Sequence, residues 1–384
     1  MGTLFGKGGD GKKLLDTFGL LHTVYGKRIF LKTKKGGRVM MRKKSMSIFA
    51  MGLMLALILG SSLYPKITHA QMTLSYANFP PAPTFPCVQM ERWKTEIEKR
   101  TNGKVKVNTY PGGTLLGAKN MFDGVAAGTA DIGSTCTSYF PGMFPVVEAV
   151  DLPVGWPSAT VASLSLLDLV NKYKPKELEK FKIVTMFTCP PANIMSMKPV
   201  LSLEDLKGYE LRASGTGAKI LKLLGAAAVG MPQSDVPEAL QKGVIKGNVS
   251  SLEVMKDFKY AEYCRHVTAN VNLFVVSFAV VMNQKKWDSL SADVKKVIDD
   301  LSRDQAIWTG KYVDDHVKES MAWSEKTYNV QVYKLSPKEI SKWYAVLKPM
   351  TDSYLKDVGA KGLPAQEILN DVMKLKEKYS KEYP

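Results

Sequence analysis

With 384 residues, 53 Lys and Arg against 36 Asp and Glu, and a formal net charge of +17, the chain is basic enough to raise the question of an anionic partner. The excess is unevenly placed: residues 1–70 hold 13 of the 53 basic and 2 of the 36 acidic residues, leaving 40 against 34, a net +6, from Gln71 onward. A balance of that size attracts small anions but, with no basic stripe interleaved with aromatics, excludes a nucleic-acid footprint.

Residues 1–39 are rich in Lys, Gly and Thr with little apolar periodicity, so they predict no packed domain and read as translation from an upstream start. Arg42-Lys-Lys44 then precedes the apolar run Ile48–Leu59, small polar residues and Thr68-His-Ala70. A basic stretch, an apolar core and a small-residue border describe a signal peptide over 40–70, and the run is short for a membrane span. The 314 residues that follow suffice for two domains with substantial cores. Cys87, Cys136, Cys189 and Cys264 are widely spaced, matching neither a metal site nor a Cys-x-x-Cys pair; disulfides and buried free thiols both remain open. Only His266 and His316 follow residue 70, which excludes a histidine-based metal centre, and no cofactor is expected.

In chain order, a strand is predicted at 74–77 and a rigid loop at 78–84. A helix follows at 85–100, with Met90, Trp93 and Ile97 on one face and Asn102-Gly103 as its stop. Strand 104–109 turns through Tyr110–Gly113 into a helix carrying Phe122, Val125 and Ala126. Strands 132–136 and 182–187 come next. Ser202 caps a short turn to Lys207, Gly208 breaks it, and 209–213 alternates as a strand that presents Arg212 near its end. Ser214-Gly-Thr-Gly217 leads into a helical run, 218–224, whose free N–H groups favour an anion. The Gly-Thr-Gly matches neither dinucleotide nor Walker patterns, because Ile220 stands at the deciding position in both. A guanidinium beside a helix N-terminus suits a carboxylate, although most arginines simply pair with a surface acid.

Asp235-Val-Pro-Glu238 opens a helix that closes at Gly243, and Gly247–Ser251 resembles a strand end with small polar side chains. Leu273–Met282, apolar except for Ser277 and too short to span a bilayer, predicts a strand buried on both faces that crosses between lobes. Ser291 caps a long helix to about Lys326, and the lysine-rich tail from Pro337 is helical. Alternating strands and helices imply mostly parallel sheets flanked by helices: an α/β fold. The expected division is lobe one at 71–190, lobe two at 191–276, a crossing strand and long helix at 277–326, and a C-terminal helical segment at 327–384.

Glu98-Lys-Arg-Thr-Asn-Gly-Lys104, Tyr110-Pro-Gly-Gly-Thr-Leu115, Gly128-Thr-Ala-Asp-Ile-Gly133, Asp151-Leu-Pro153, Asp205-Leu-Lys-Gly208 with Leu211-Arg212, and Glu238-Ala-Leu-Gln-Lys-Gly-Val-Ile245 occur in fixed order. In order and spacing they resemble the solute-binding proteins of tripartite ATP-independent periplasmic (TRAP) transporters, the DctP type, over about residues 72–370. That resemblance implies a periplasmic, non-catalytic, monomeric receptor with two α/β lobes of the type II-like binding-protein fold. The lobes would close on a small organic acid and deliver it to the small and large membrane permease subunits. It assigns the carboxylate to Arg212.

Two departures bear on the ligand. The stretch Thr188–Ile194 has no second arginine, and Gly243-Val-Ile-Lys-Gly247 carries Lys246 where the family has an acid. Asn248, Ser250 and Ser251 are candidates for the missing polar contacts, with Ser134, Asn193 and Ser214 beside them. Phe79, Phe85, Tyr139, Phe140, Trp156, Phe187 and Phe274 fall near strand ends and loops, where an aromatic fills a core or walls a ligand site. One arginine among aromatics favours a monocarboxylate with an apolar or aromatic body. The rival readings are a receptor serving a sensor or another transporter, and an exported enzyme built on Cys264-Arg-His266. The thiol and imidazole of that enzyme would lie two residues apart with no third orienting group.

Overall fold

A computed structural model describes residues 71–384 together with the backbone of 22–25, 28–32 and 38–40. The signal segment expected at 40–70 lies, apart from Met40, outside the described residues. Within the stretch before it, β1 (His22–Tyr25), β2 (Arg28–Lys32) and β3 (Arg38–Met40) pair antiparallel in that order. The expectation of no packed structure before residue 40 is corrected here: strands at 22–25, 28–32 and 38–40 are too short to show an apolar period, and only their pairing reveals them.

From residue 70 the chain builds two sheets. The first has strand order β5-β4-β6-β13-β7, using β4 (Met72–Asn78), β5 (Val105–Tyr110), β6 (Ile132–Cys136), β7 (Phe181–Thr188) and β13 (Ser277–Asn283). The second runs β10-β9-β11-β8-β12-β14. Its strands are β8 (Asn193–Ser196), β9 (Glu210–Arg212), β10 (Ala227–Val229), β11 (Gly247–Ser250), β12 (His266–Ala269) and β14 (Gln331–Lys334). Parallel pairs are in the majority, and β8 and β13 run against their neighbours. These are the strands that follow each passage between the lobes, where the chain re-enters a sheet from the opposite end. The strand expected from Leu273 therefore begins at Ser277 and lies inside the first sheet, between β6 and β7, while residues 270–276 make the crossing. Ser277–Met282 are buried throughout, because helices cover both faces.

The two passages hold one another. Cys189 N donates to Val276 O (2.9 Å), Ala192 N to Phe274 O (2.7 Å) and Leu273 N to Ala192 O (3.0 Å), so a short two-stranded hinge joins the lobes. Helix α1 (Phe85–Arg100) buries Met90, Trp93 and Ile97, the face its spacing predicts. The short α2 (Met121–Ala127) and α3 (Pro145–Glu148) precede α4 (Ala159–Tyr173), whose apolar length packs on the first sheet.

Helices α5 (Thr216–Leu223), α6 (Val236–Gln241) and α7 (Val254–Asp257) belong to the second lobe, and the short α8 (Gln284–Asp288) follows β13. Then α9 (Ala292–Tyr328) runs 37 residues, ~55 Å at the usual rise. Its first half meets lobe one, where Gln305 Nε2 donates to Gln89 O and Arg303 pairs with Asp168. Its second half meets lobe two, where Ser320 Oγ donates to the carbonyls of Leu252 and Glu253. Midway, the Asp314 carboxylate accepts the N–H groups of Ala159 and Thr160 and so caps α4 from outside. The C-terminal helices α10 (Pro337–Gly359) and α11 (Ala365–Glu382) return to lobe one, as in Tyr354 Oη donating to Pro145 O.

All four cysteines are buried and unpaired. Burial pushes the Cys87 and Cys264 thiols up to about 12, so they behave as apolar core groups. Asp151 is also buried; its Oδ1 accepts from Ser277 Oγ at 2.7 Å, and desolvation lifts its carboxyl to about 8. A folded-state value raised above the ordinary 3.8 means that this group's contribution to stability is fully present below pH 4 and is lost as pH rises through 8. Asp151→Asn removes that loss. The melting temperature of the variant relative to wild type is expected to climb by roughly 5 °C between pH 5 and pH 8. A gap that stays constant or narrows over that interval would show that Asp151 is not held neutral.

Candidate functional site

Three neighbouring strands, β10, β9 and β11, run parallel, and their carboxyl ends open on the cleft, the usual position for a ligand in such sheets. Arg212 closes β9. The turn before it is held by Asp205, whose carboxylate accepts the N–H groups of Leu201 and Ser202 and the Ser202 hydroxyl; the acid, not Ser202, is the cap. Arg212 is 3% exposed. Its Nε and Nη2 donate to Met231 O (3.0 and 2.6 Å), and Nη1 donates to Gln233 Oε1 and to Asn248 Oδ1 (3.3 Å).

Every partner of the guanidinium is neutral. No carboxylate pairs with it among the described residues, although a buried cation without a counter-charge carries a desolvation cost of several kcal/mol. Beside it, Gln233 Nε2 and Asn248 Nδ2 are buried donors without an acceptor. The local chemistry is an excess of positive charge and hydrogen-bond donors, which is complementary to an anion.

Arg212 lines a narrow cavity between the lobes, with about 30 Å³ of free volume in this closed arrangement. Lobe one supplies its apolar wall, with Phe79 and Pro80 from the loop after β4, Phe85 and Pro86 from the first turn of α1, and Phe278 from β13. The Phe85 and Phe278 rings meet edge to face at 5.7 Å, and Phe187 stacks behind Phe278 at 5.0 Å. Lobe two supplies Arg212, Ser214, Gln233 and Ser250, and further along Glu253, Val254, Asp257 and Phe258. Asp257 Oδ1 lies 2.7 Å from His316 Nε2, which raises the imidazole above its ordinary value. Burial raises Glu253 to about 7.

The lobes touch across the cleft: Gln233 N donates to Tyr139 Oη (3.0 Å), Ser138 and Ser214 share a hydrogen bond (3.1 Å), Phe85 N donates to Asp257 Oδ2 (3.3 Å), and Lys219 pairs with Glu148 (2.6 Å).

Residues 80–357 match the family described as bacterial extracellular solute-binding protein, family 7, the DctP family. The chain belongs to this family. A TRAP periplasmic solute-binding protein from Desulfovibrio salexigens is 53% identical, with a TM-score of 0.73 over 81% of this chain and 97% of that one; it was solved as an open complex. A marine metagenome TRAP protein, specific for aromatic acid ligands and solved with 3-hydroxybenzoate, is 30% identical, with a TM-score of 0.77 over 80% and 99%. The C4-dicarboxylate-binding periplasmic protein DctP of Rhodobacter capsulatus is 25% identical over 70% of this chain and 82% of its own length. Family 7 proteins are TRAP receptors for small organic acids that work with membrane permeases, and the two-lobed α/β fold is theirs. Among the described residues no helix is long and apolar enough to cross a membrane.

In this family 7 receptor, the cavity gathers Arg212, Ser214, Ser250, Phe79, Phe85 and Tyr139 from the residues singled out in the sequence. Asn248 stands one step back, on Arg212. The others serve elsewhere. Phe187 backs the aromatic wall, and Trp156 donates to Val150 O inside lobe one. Ser134 is buried mid-strand in β6. Asn193 Oδ1 accepts the N–H groups of Val271 and Asn272, bracing the hinge. Ser251 Oγ donates to Glu253 (2.7 Å), and Phe274 packs on Gly217. The N-terminus of α5, expected to face the anion, opens instead on a separate groove lined by Ser138, Phe140, Glu148, Gly215 and Lys219. Gln233, Glu253, Asp257 and Phe278 escaped the sequence reading. Only Glu253 left a trace, as a lone acid in an otherwise uncharged run from Gly247 to Met255.

Gly215 links this geometry to motion. At φ 53° and ψ −125° it occupies a region that favours glycine, and a Cβ there would stand 2.8 Å from Ser138 Cβ and 3.0 Å from Ser138 O on the other lobe. Gly215→Ala should therefore oppose closure, weakening ligand affinity about tenfold or more. Small-angle scattering of the ligand-saturated variant should give a larger radius of gyration than wild type. Unchanged affinity and radius would mean that the lobes close without this contact.

Proposed function

We propose that this receptor captures a monocarboxylate with an aromatic or apolar body, closes its lobes around it, and presents it to the small and large permease subunits of a TRAP transporter. The observation that carries the reading is Arg212: a buried guanidinium with only neutral partners, facing a phenylalanine-lined cavity. A planar fork of donors binds a carboxylate in a fixed orientation, and closure removes the water that would otherwise weaken the pair. Ser214 and Ser250 offer hydroxyls beside it, while Phe79, Phe85 and Phe278 take the ligand body.

Two relatives favour this chemistry. The 30% identical protein is specific for aromatic acids, and in the 53% identical one the C-terminus of a neighbouring molecule, a chain end that bears a carboxylate, occupies the ligand site. A dicarboxylate, as bound by the Rhodobacter relative, fits less well. Among the described residues no second cation lines the cavity, and a second carboxylate would meet Glu253 and Asp257. The protein acts as a binding receptor in the periplasm after removal of residues 40–70.

Arg212→Ala should weaken binding of phenylacetate at least a hundredfold by calorimetry, about 3 kcal/mol for a desolvated charge pair. The apo variant should stay folded with a melting temperature near that of wild type, as circular dichroism will register, because relief of the buried cation's desolvation cost offsets the hydrogen bonds lost at Met231 O, Gln233 and Asn248. A folded Arg212→Ala protein that keeps its affinity, or a wild-type protein that takes amines and neutral solutes but no acid, would refute the proposal.

A further inference from the structure

We infer that Glu253 is a second ligand anchor, which accepts the ligand at the end remote from its carboxylate and selects acids that carry a hydroxyl group there. The inference rests on the function proposed above. It starts from an imbalance in the cavity wall. Both acids of that wall, Glu253 and Asp257, come from the short segment after β11. Asp257 is fully engaged: Oδ1 with His316 Nε2 at 2.7 Å and Oδ2 with Phe85 N at 3.3 Å. Glu253 is not. Its Oε1 accepts from Ser251 Oγ at 2.7 Å, but Oε2 has no partner, and the residue is 1% exposed. A buried carboxyl oxygen left unpaired is costly, and at this exposure bulk water does not relieve it. Arg212 does not relieve it either, since its contacts are Met231, Gln233 and Asn248. The cavity thus presents a cationic donor cluster and, separately, a lone acceptor, with Val254, Phe258, Val276 and Phe278 between and around them.

The chemistry of Glu253 identifies the group that would match it. Held near 7 by burial, the carboxyl is present at neutral pH in both forms. An ionised Oε2 only accepts; a protonated one can donate. A hydroxyl serves both, donating to the first and accepting from the second. An ammonium pairs only with the ionised form and must be desolvated against phenylalanine and valine, and a second carboxylate is repelled by the ionised form and by Asp257. The cavity is therefore matched to a hydroxy-substituted aromatic or apolar monocarboxylate.

The test is calorimetry on the protein from Gln71 onward with phenylacetate, its 2-, 3- and 4-hydroxy isomers, the 3-aminomethyl analogue and 1,3-phenylenediacetate. At least one hydroxy isomer should bind about tenfold or more tightly than phenylacetate. That advantage should fall to within about threefold in Glu253→Met, which keeps the volume and removes the acceptor, and should persist in part in Glu253→Gln. A co-crystal of the preferred isomer should place its hydroxyl oxygen within hydrogen-bond reach of Glu253 Oε2, a readout that stands even if the methionine variant fails to fold. The inference is overturned if no isomer exceeds phenylacetate, if the amine or diacid binds most tightly, if Glu253→Met keeps the advantage, or if the hydroxyl lies elsewhere. Phenylacetate binding that depends on Arg212, with no hydroxyl preference, would remove this inference alone. No binding by any of these acids would remove the functional reading beneath it.

Discussion

A guanidinium withdrawn from water with no acid beside it is the constraint around which this receptor is arranged. Arg212 cannot be left loose, so its neutral partners come from both strands that flank it: Met231 and Gln233 after β10, and Asn248 on β11, with Arg212 itself closing β9 between them. They fix its plane without neutralising its charge. The missing negative charge has to come from outside the chain, which is how a stable binding protein stores affinity for an anion in its apo fold. The aromatic wall on the facing lobe completes the design by lowering the local dielectric once the lobes meet.

What keeps the two walls in register is a set of restraints far from Arg212. The hydrogen-bonded passages at Cys189–Ala192 and Leu273–Val276 limit the lobes to a hinge, and Asn193 stiffens that hinge from one side. Helix α9 touches both lobes along one continuous rod, with His316 and Ser320 at the base of the cavity segment and Asp314 capping α4. Motions of the cleft are therefore bending motions of shared elements.

Much of this was legible in the amino-acid sequence because local patterns carried it. The 85–100 helix announced itself by Met90, Trp93 and Ile97, β6 by its bounding turn, and Arg212 by a strand between two glycine breaks. The site's second half was not legible. Gln233 lies in a Pro-Gln-Ser-Asp turn that looks like any surface connection. Asp257 reads as an ordinary acid and Glu253 stands out only as a lone charge in an uncharged run, because burial is a property of the packed lobes and not of neighbours in sequence. The opposite error befell Trp156, Phe274 and Asn193: residue types suited to ligands, at plausible strand ends, were claimed by the core and the hinge. The direction of β8 and β13 was hidden for a related reason, since strand polarity depends on which end of a sheet the chain re-enters.

The position of β13 also sets an order on folding. It is inserted between β6 and β7, with its register running from Phe278 opposite Cys136 to Met282 opposite Ile132, so the sheet of lobe one remains in two halves until the chain as far as residue 283 is available. Everything between β7 and β13, the whole of the second sheet except β14, has to emerge first. Until then the edges of β6 and β7, rich in buried-type residues such as Ile132, Val184 and Phe187, are unpaired and sticky. The lobe that begins the chain is thus the one that finishes late. Until β13 arrives, a chain of this architecture carries a gap in the centre of its first sheet, and open strand edges of that kind favour aggregation.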